Sequence, residues 1–293
     1  MAFDRSSRKK ATSKAPVKSD VVFLVHLLFD KEVEIPSQEI CETVMEKHLG
    51  PLDCRHNGKM AGFHPKKYDH ARYDNHPYLM MSPCTAMDDF KIDEFTKVQI
   101  RDCNNKDEIL ENAKYHIIAA DSFTCDMNYK RRAEMLMEYV EGLVDLFPDC
   151  IGVLFQPSGK MFSREQIVNS SIAPEDKFVY YVVNARCFFI NEEEAVIDTM
   201  GLGILGLPDI QYHFGGIDPA EIAYHAYIIA SFIFNNNNPI GENDSVDGIK
   251  NGEFDPETEW TCRYEESLIQ PARKVIDINT GEYARGTRET SQN

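Results

Sequence analysis

Apolar residues along this chain fall into short runs with two different spacings. Residues 21–29, VVFLVHLLF, are a continuous apolar run of strand length. Ser37 then opens a segment whose apolar positions Ile40, Val44 and Met45 recur at helical spacing until Gly50 and Pro51. The pattern blurs over residues 53–78, which read mainly as loop, and strand-like stretches follow at 78–81 and 97–100. Residues 115–123, YHIIAADSF, predict a strand. Asp126 is placed to cap a helix in which Ala133, Leu136, Met137, Val140, Leu143, Val144 and Phe147 stand three and four apart. Residues 150–162 predict a further strand broken at Pro157-Ser158-Gly159, and Ser163 opens a short helical turn.

The second half is richer in strand signals. Residues 177–190, KFVYYVVNARCFFI, form a long β-rich run, and an acidic tip at 191–194 joins it to AVIDT (195–199) as a hairpin. In DIQYHF (209–214), Ile210, Tyr212 and Phe214 alternate with Gln211 and His213, the period of a half-buried strand. Asp218, Pro219 and Glu221 supply a cap, a first-turn proline and an acid three residues after the cap, so a helix is predicted from there to about residue 234. A polar loop through Glu259 leads to WTCRY, and KVIDINTGE gives a last strand. Strands outnumber helices and follow one another through hairpin-like turns. The predicted class is therefore α+β, a mainly antiparallel (mixed) sheet with helices packed on one side; a doubly wound parallel sheet is second choice. The expected organisation is a disordered basic tail over 1–19, one α+β domain over 20–283 and a disordered tail over 284–293.

Composition narrows the function classes. With 293 residues, 43% of them hydrophobic, the chain can bury a large core without staples. No apolar run approaches the roughly 20 residues of a membrane span. The first 19 residues are basic and polar without an apolar centre, which predicts neither signal nor anchor and a cytoplasmic protein. Eight scattered cysteines without a C-x-x-C pair predict buried free thiols. Residues 1–19 carry six Lys/Arg and one Asp, so the chain total of −17 leaves −22 on the remainder. A body of that sign repels phosphate backbones and steers basic partners towards it, so the expected partner is a basic protein, with neither nucleic acid nor membrane.

Candidate chemistry centres on GLGILG at residues 201–206, which spells the G-x-G-x-x-G dinucleotide fingerprint. That fingerprint needs a strand ending at its first glycine and a helix beginning near its last. Here Pro208 and a strand-like segment follow, so the glycines read as a tight turn between two strands and no cofactor is expected. His56, His64, His70 and His76, with Cys54, are the densest group of metal-ligand residue types. Their 8-6-6 spacing matches no known ligand rhythm, and no metal site is expected. The acidic stretch 241–259 fails the EF-hand template with either Gly248 or Gly252 in sixth place. No local signature marks Cys84, Cys125 or a serine as a nucleophile with His116 or His213 as its base.

The stretch DTMGLGILGLPDIQYHF resembles the bacterial family known as domain of unknown function 4261, which carries a Thr-x-Gly-Leu, Gly-x-x-(Asp/Glu) signature there. AKYHIIAADSF with its following helix, CIGVLFQPSGKMFS, and the helix after Asp218 stand in the order that family shows, so the resemblance spans roughly residues 20 to 280. The chain departs at Thr199-Met200-Gly201-Leu202 and at Asp209-Ile210-Gln211, where Gln stands in place of a frequent second acid. That departure speaks against a paired-carboxylate site. The resemblance implies no established activity or cofactor, and by analogy an immunity-like or interaction role. The candidate binding residues are Thr199, Gly201, Gly203, Gly206, Asp209 and His213. A non-catalytic interaction domain is the favoured reading; the alternative is an enzyme or small-ligand protein with a pocket near 199–213.

Overall fold

In the computed structural model, which describes residues 19, 21–69, 76–88, 90–250 and 252–286, the first apolar run forms β1 (Leu24–Phe29). Its alternation divides two interiors. Val25, Leu27 and Phe29 enter the main core, while Leu28 enters a smaller core on the other face. Next come α1 (Gln38–Leu49), capped by the Ser37 hydroxyl, then β2 (Leu52–His56), β3 (Ala61–Pro65), β4 (Tyr78–Met81) and the two-residue β5 (Thr85–Ala86). The predicted loop over 53–78 is thus corrected to hold two strands, β2 and β3, while the strand predicted at 78–81 is β4. β2 and β3 are only five residues long, too short for a period of two to stand out.

Two short helices follow, α2 (Glu94–Gln99) and α3 (Lys106–Asn112), then β6 (Tyr115–Ser122) and α4 (Tyr129–Leu146). The strand predicted at 97–100 is instead the last turn of α2, started by Asp93, whose side chain accepts the Thr96 N–H. The cap of α4 is Asn128 rather than Asp126. A hairpin, β7 (Gly152–Phe155) and β8 (Lys160–Ser163), runs into α5 (Arg164–Val168) through a Ser163–Gln166 capping box. The β-rich run at 177–190 opens as a helix, α6 (Lys177–Val182), and only then becomes β9 (Asn184–Phe189). Phe178, Val179, Tyr181 and Val182 are all buried, and a helix apolar nearly all round carries no periodicity to separate it from a strand.

The remaining elements are β10 (Ala195–Met200), β11 (Asp209–Phe214), α7 (Pro219–Asn236), β12 (Ser245–Lys250), β13 (Glu253–Glu266) and β14 (Lys274–Asn279). The polar loop predicted before Trp260 is the β12–β13 hairpin, much of it solvent-facing, which is why it reads as loop. Residues 284–286 continue along β11, with a Phe214–Ala284 bridge and the Arg285 N–H donating to the His213 carbonyl.

The class is α+β and the pairing mostly antiparallel, but in two sheets rather than one. The first has the order β2-β3-β4-β6-β1-β7-β8, with β5 also on β6; the second runs β12-β13-β14-β11-β10-β9, with β11 and β14 parallel. Helices are not confined to one side. Residues of α1 and α4 fill the main core on one face of the first sheet, and Ile109 of α3 with Ile100 and Cys103 fills the smaller core on the other. α7 lies across β9, β10 and β11. Buried polar side chains tie the halves together. The Gln99 amide exchanges two hydrogen bonds of 3.0 Å with the backbone of Cys187, and the Lys160 ammonium donates to the carbonyls of Tyr180 (2.6 Å) and Val183 (2.9 Å). Among the described residues, no helix is long and apolar enough to cross a membrane.

Candidate functional site

Between β10 and β11 the six residues of GLGILG make one turn of 3-10 helix, Leu202–Leu205, closed by Gly206 in the left-handed region at φ +73°. No α-helix follows, so no helix terminus is presented to a pyrophosphate. Gly201 is required sterically: its φ is +136°, and a Cβ there would stand 2.6 Å from the Val182 carbonyl oxygen. Gly203 is not, because a Cβ would lie 3.6 Å from Asp209 Oδ2, an ordinary contact. In a dinucleotide turn the middle glycine is the one that lets the phosphates approach the backbone; here it has room to spare.

The turn is closed by the polar residues beside it. The Thr199 hydroxyl donates to Asp209 Oδ1 (3.1 Å) and accepts the Ile210 N–H (2.9 Å), while the Leu202 N–H donates to the same carboxylate oxygen (3.2 Å). Thr199 and Asp209 are buried. Burial pushes the Asp209 carboxyl up to about 6, against the pull of Arg273, whose Nε stands 3.6 Å away. His213 is not part of this cluster. It lies four residues along β11, about 13 Å at strand rise, and pairs with Glu194 at 3.2 Å.

The larger feature is a polar row across the second sheet. Asp198 stands opposite both Arg186 and Gln211, Gln211 opposite Asp277, and Asp277 opposite Arg263, so one side chain from each of five strands lies on the same face. Arg186 grips Asp198 with two parallel hydrogen bonds of 2.8 and 2.5 Å, and Arg273 adds a third at 2.7 Å. Gln211 donates to Asp277 (3.2 Å) and accepts the Leu268 N–H (2.6 Å). Residues 267–273 lie over the row: the Gln270 carbonyl accepts from Arg186, and Arg273 donates back to the Thr199 carbonyl. A glutamate at position 211 would lose the donor that Asp277 receives and set two carboxylates side by side, which accounts for the glutamine.

This row went unread in the sequence, yet it left a signal. Arg186 in NARCFF, Asp198 in AVIDT and Asp277 in KVIDIN are charges set in the middle of mostly apolar strands, and a charge is rarely buried unless it is paired. Both oxygens of Asp198 are taken by guanidinium groups, while Arg273 Nε, buried 3.6 Å from Asp209 Oδ2, has no hydrogen-bond partner among the described residues. The adjoining cavity, about 160 Å³, is lined by Gln99, Gln156, Ser158, Arg186, Met200 and Pro271 among others, and takes none of the six residues singled out in the sequence.

Residues 198–279 match the model of the family described as Domain of unknown function (DUF4261). The resemblance read from DTMGLGILGLPDIQYHF is borne out over that region, which begins at Asp198 and ends with β14. No curated protein and no solved structure matches the chain.

Proposed function

We propose that this chain is a non-catalytic protein-interaction domain of the cytoplasm that binds a basic protein partner, in the manner of an immunity protein. The observation that carries the reading is how far the polar groups at and beside the start of the family-matched region are already engaged with one another. Thr199, Asp209, Asp198 and the neighbouring Arg186 bond to one another and to backbone, and of Arg273 the Nε alone is left without a hydrogen-bond partner among the described residues, whereas a site that is to bind or transform a substrate needs several convergent groups left free for it. The neighbouring cavity of about 160 Å³ is also smaller than the roughly 300–1,000 Å³ usual for ligand pockets.

Charge and surface shape support the partner class. The body carries −22, as counted above, which favours association with a cationic protein and makes it salt-sensitive. A groove of about 440 Å³ between α4, α6 and the end of α7 has an apolar floor that includes Ala133, Met137 and Phe178, with Glu134 and Glu175 on its lining. Eight free thiols suit a reducing compartment. The test is affinity capture with the full chain from its host's extract at low and at moderate salt. A basic protein retained at low salt and weakened at moderate salt is the expected result; the absence of any protein partner under both conditions refutes the proposal.

A further inference from the structure

We propose that His64, Asp69 and His76 form a binding site for a borderline divalent transition ion, zinc by ligand type, that clips the connection between β3 and β4. His64 Nε2 lies 2.6 Å and His76 Nδ1 2.8 Å from one oxygen, Asp69 Oδ1, and the three donor atoms all lie within 4.8 Å of one another. The two imidazole rings face the same point, with centroids 4.7 Å apart and planes inclined at 42°. Around a tetrahedral ion bound at about 2.0–2.1 Å the donors stand about 3.3 Å apart. Side-chain shifts below about 1 Å therefore convert the present spacing into a coordination shell, with water completing the exposed side.

The frame around the donors is already built. His64 sits in β3 directly opposite Asp53 of β2, and its second nitrogen, Nδ1, faces Asp53 Oδ2 at 3.5 Å. That is the carboxylate–histidine–metal arrangement in which an outer carboxylate fixes the tautomer and orients the ring. Asp69 directly follows the 3-10 turn Lys66–Tyr68, which is anchored by buried Tyr68 through its hydroxyl to Glu138 (2.7 Å). Lys66 pairs with Asp53 and stands 3.2 Å from His64 Nδ1, so its charge opposes a bound dication and lowers the affinity. Spacing among the histidines alone conceals the group, because one donor is a carboxylate. His56 instead accepts the Gly58 N–H with its Nδ1.

The test uses the full chain, stripped with chelator and titrated with zinc by calorimetry and with cobalt by absorption. One equivalent is expected to bind, with visible bands of tetrahedral cobalt and no thiolate charge-transfer band. Asp53→Asn weakens binding by about 10-fold as an outer partner, His64→Ala and His76→Ala weaken it by more, and Lys66→Met tightens it. His48→Ala, which removes a histidine paired with Asp145 alone among the described residues, leaves it unchanged. Absence of saturable binding overturns the proposal, as does binding that survives His64→Ala and His76→Ala or that shows thiolate ligation.

Discussion

Asp198 is the hinge of the second sheet's electrostatics, and its replacement by asparagine tests that directly. The residue has no exposure to solvent and accepts from Arg186 and Arg273, so Asp198→Asn leaves one buried and one half-buried guanidinium group with one fewer counter-charge while hardly changing shape. Breaking a buried pair by neutralising one partner costs about 3–5 kcal/mol, a large part of the roughly 5–15 kcal/mol that holds a domain together. In urea titration that corresponds to a midpoint lowered by about 1–2 M, with the slope unchanged. The sign of a second substitution is more telling. Adding Arg273→Met to Asp198→Asn removes the surplus cation, so the double variant is expected to be more stable than Asp198→Asn alone, although Arg273→Met by itself destabilises. A loss below about 1 kcal/mol for the single variant, or strictly additive losses in the double, would refute the account of the row as a charge-balanced lock.

Three further outcomes follow from the same geometry. Gly201→Ala is expected to cost several kcal/mol, because a methyl would meet the Val182 carbonyl at 2.6 Å in a backbone at φ +136°; Gly206→Ala should cost about 1 kcal/mol from its left-handed φ, and Gly203→Ala close to nothing. Equal losses at all three in thermal melts would contradict the turn as described. Gln211→Glu should destabilise by about 2–4 kcal/mol at neutral pH and recover on acidification, as the new carboxyl beside Asp277 takes up a proton; urea midpoints at two pH values measure this. Stability should also fall as pH drops from 6.5 towards 4. Burial lowers His26 and His225 to about 4, so the unfolded chain binds their protons first, and each contributes a loss of about 3 kcal/mol across that window. Asp209, raised to about 6, works in the opposite direction, gaining stability as pH falls from about 6 to 3.8, so Asp209→Asn should steepen the acid loss and His225→Asn should flatten it. Midpoints that stay level between pH 6.5 and 4.5 would count against both assignments.

What the sequence revealed depended on how strongly each segment's pattern was expressed. α4 and α7 are long, capped and periodic, and both are legible. β2 and β3 are too short to establish a period, α6 is buried nearly all round, and much of β13 is in solvent; in each case the hydrophobic pattern that would announce the element is absent. Two sheets rather than one could not be read, because sheet membership is decided by strand pairings between distant segments, such as Gln211 of β11 opposite Asp277 of β14, 66 residues apart. The turn at 201–206 was readable from Pro208 and the alternating segment 209–214 behind it. The row behind it was not: Arg186 and Asp198 face each other across the predicted hairpin only in one register, and Arg273 reaches Asp198 from 75 residues away.

The Gln99 side chain mimics one peptide group of a neighbouring strand, giving β9 a partner on the side where its sheet ends. An uncovered strand edge invites pairing with another chain, so the first half of the molecule acts as a stopper for the second. A fragment cut to the family match would begin at Asp198, without β9, Gln99, Arg186 or the first half of β10, leaving the stub of β10 and much of β11 as a raw edge with an aspartate deprived of its main counter-ion. Such a fragment is expected to aggregate, and the unit to express and study is the whole chain.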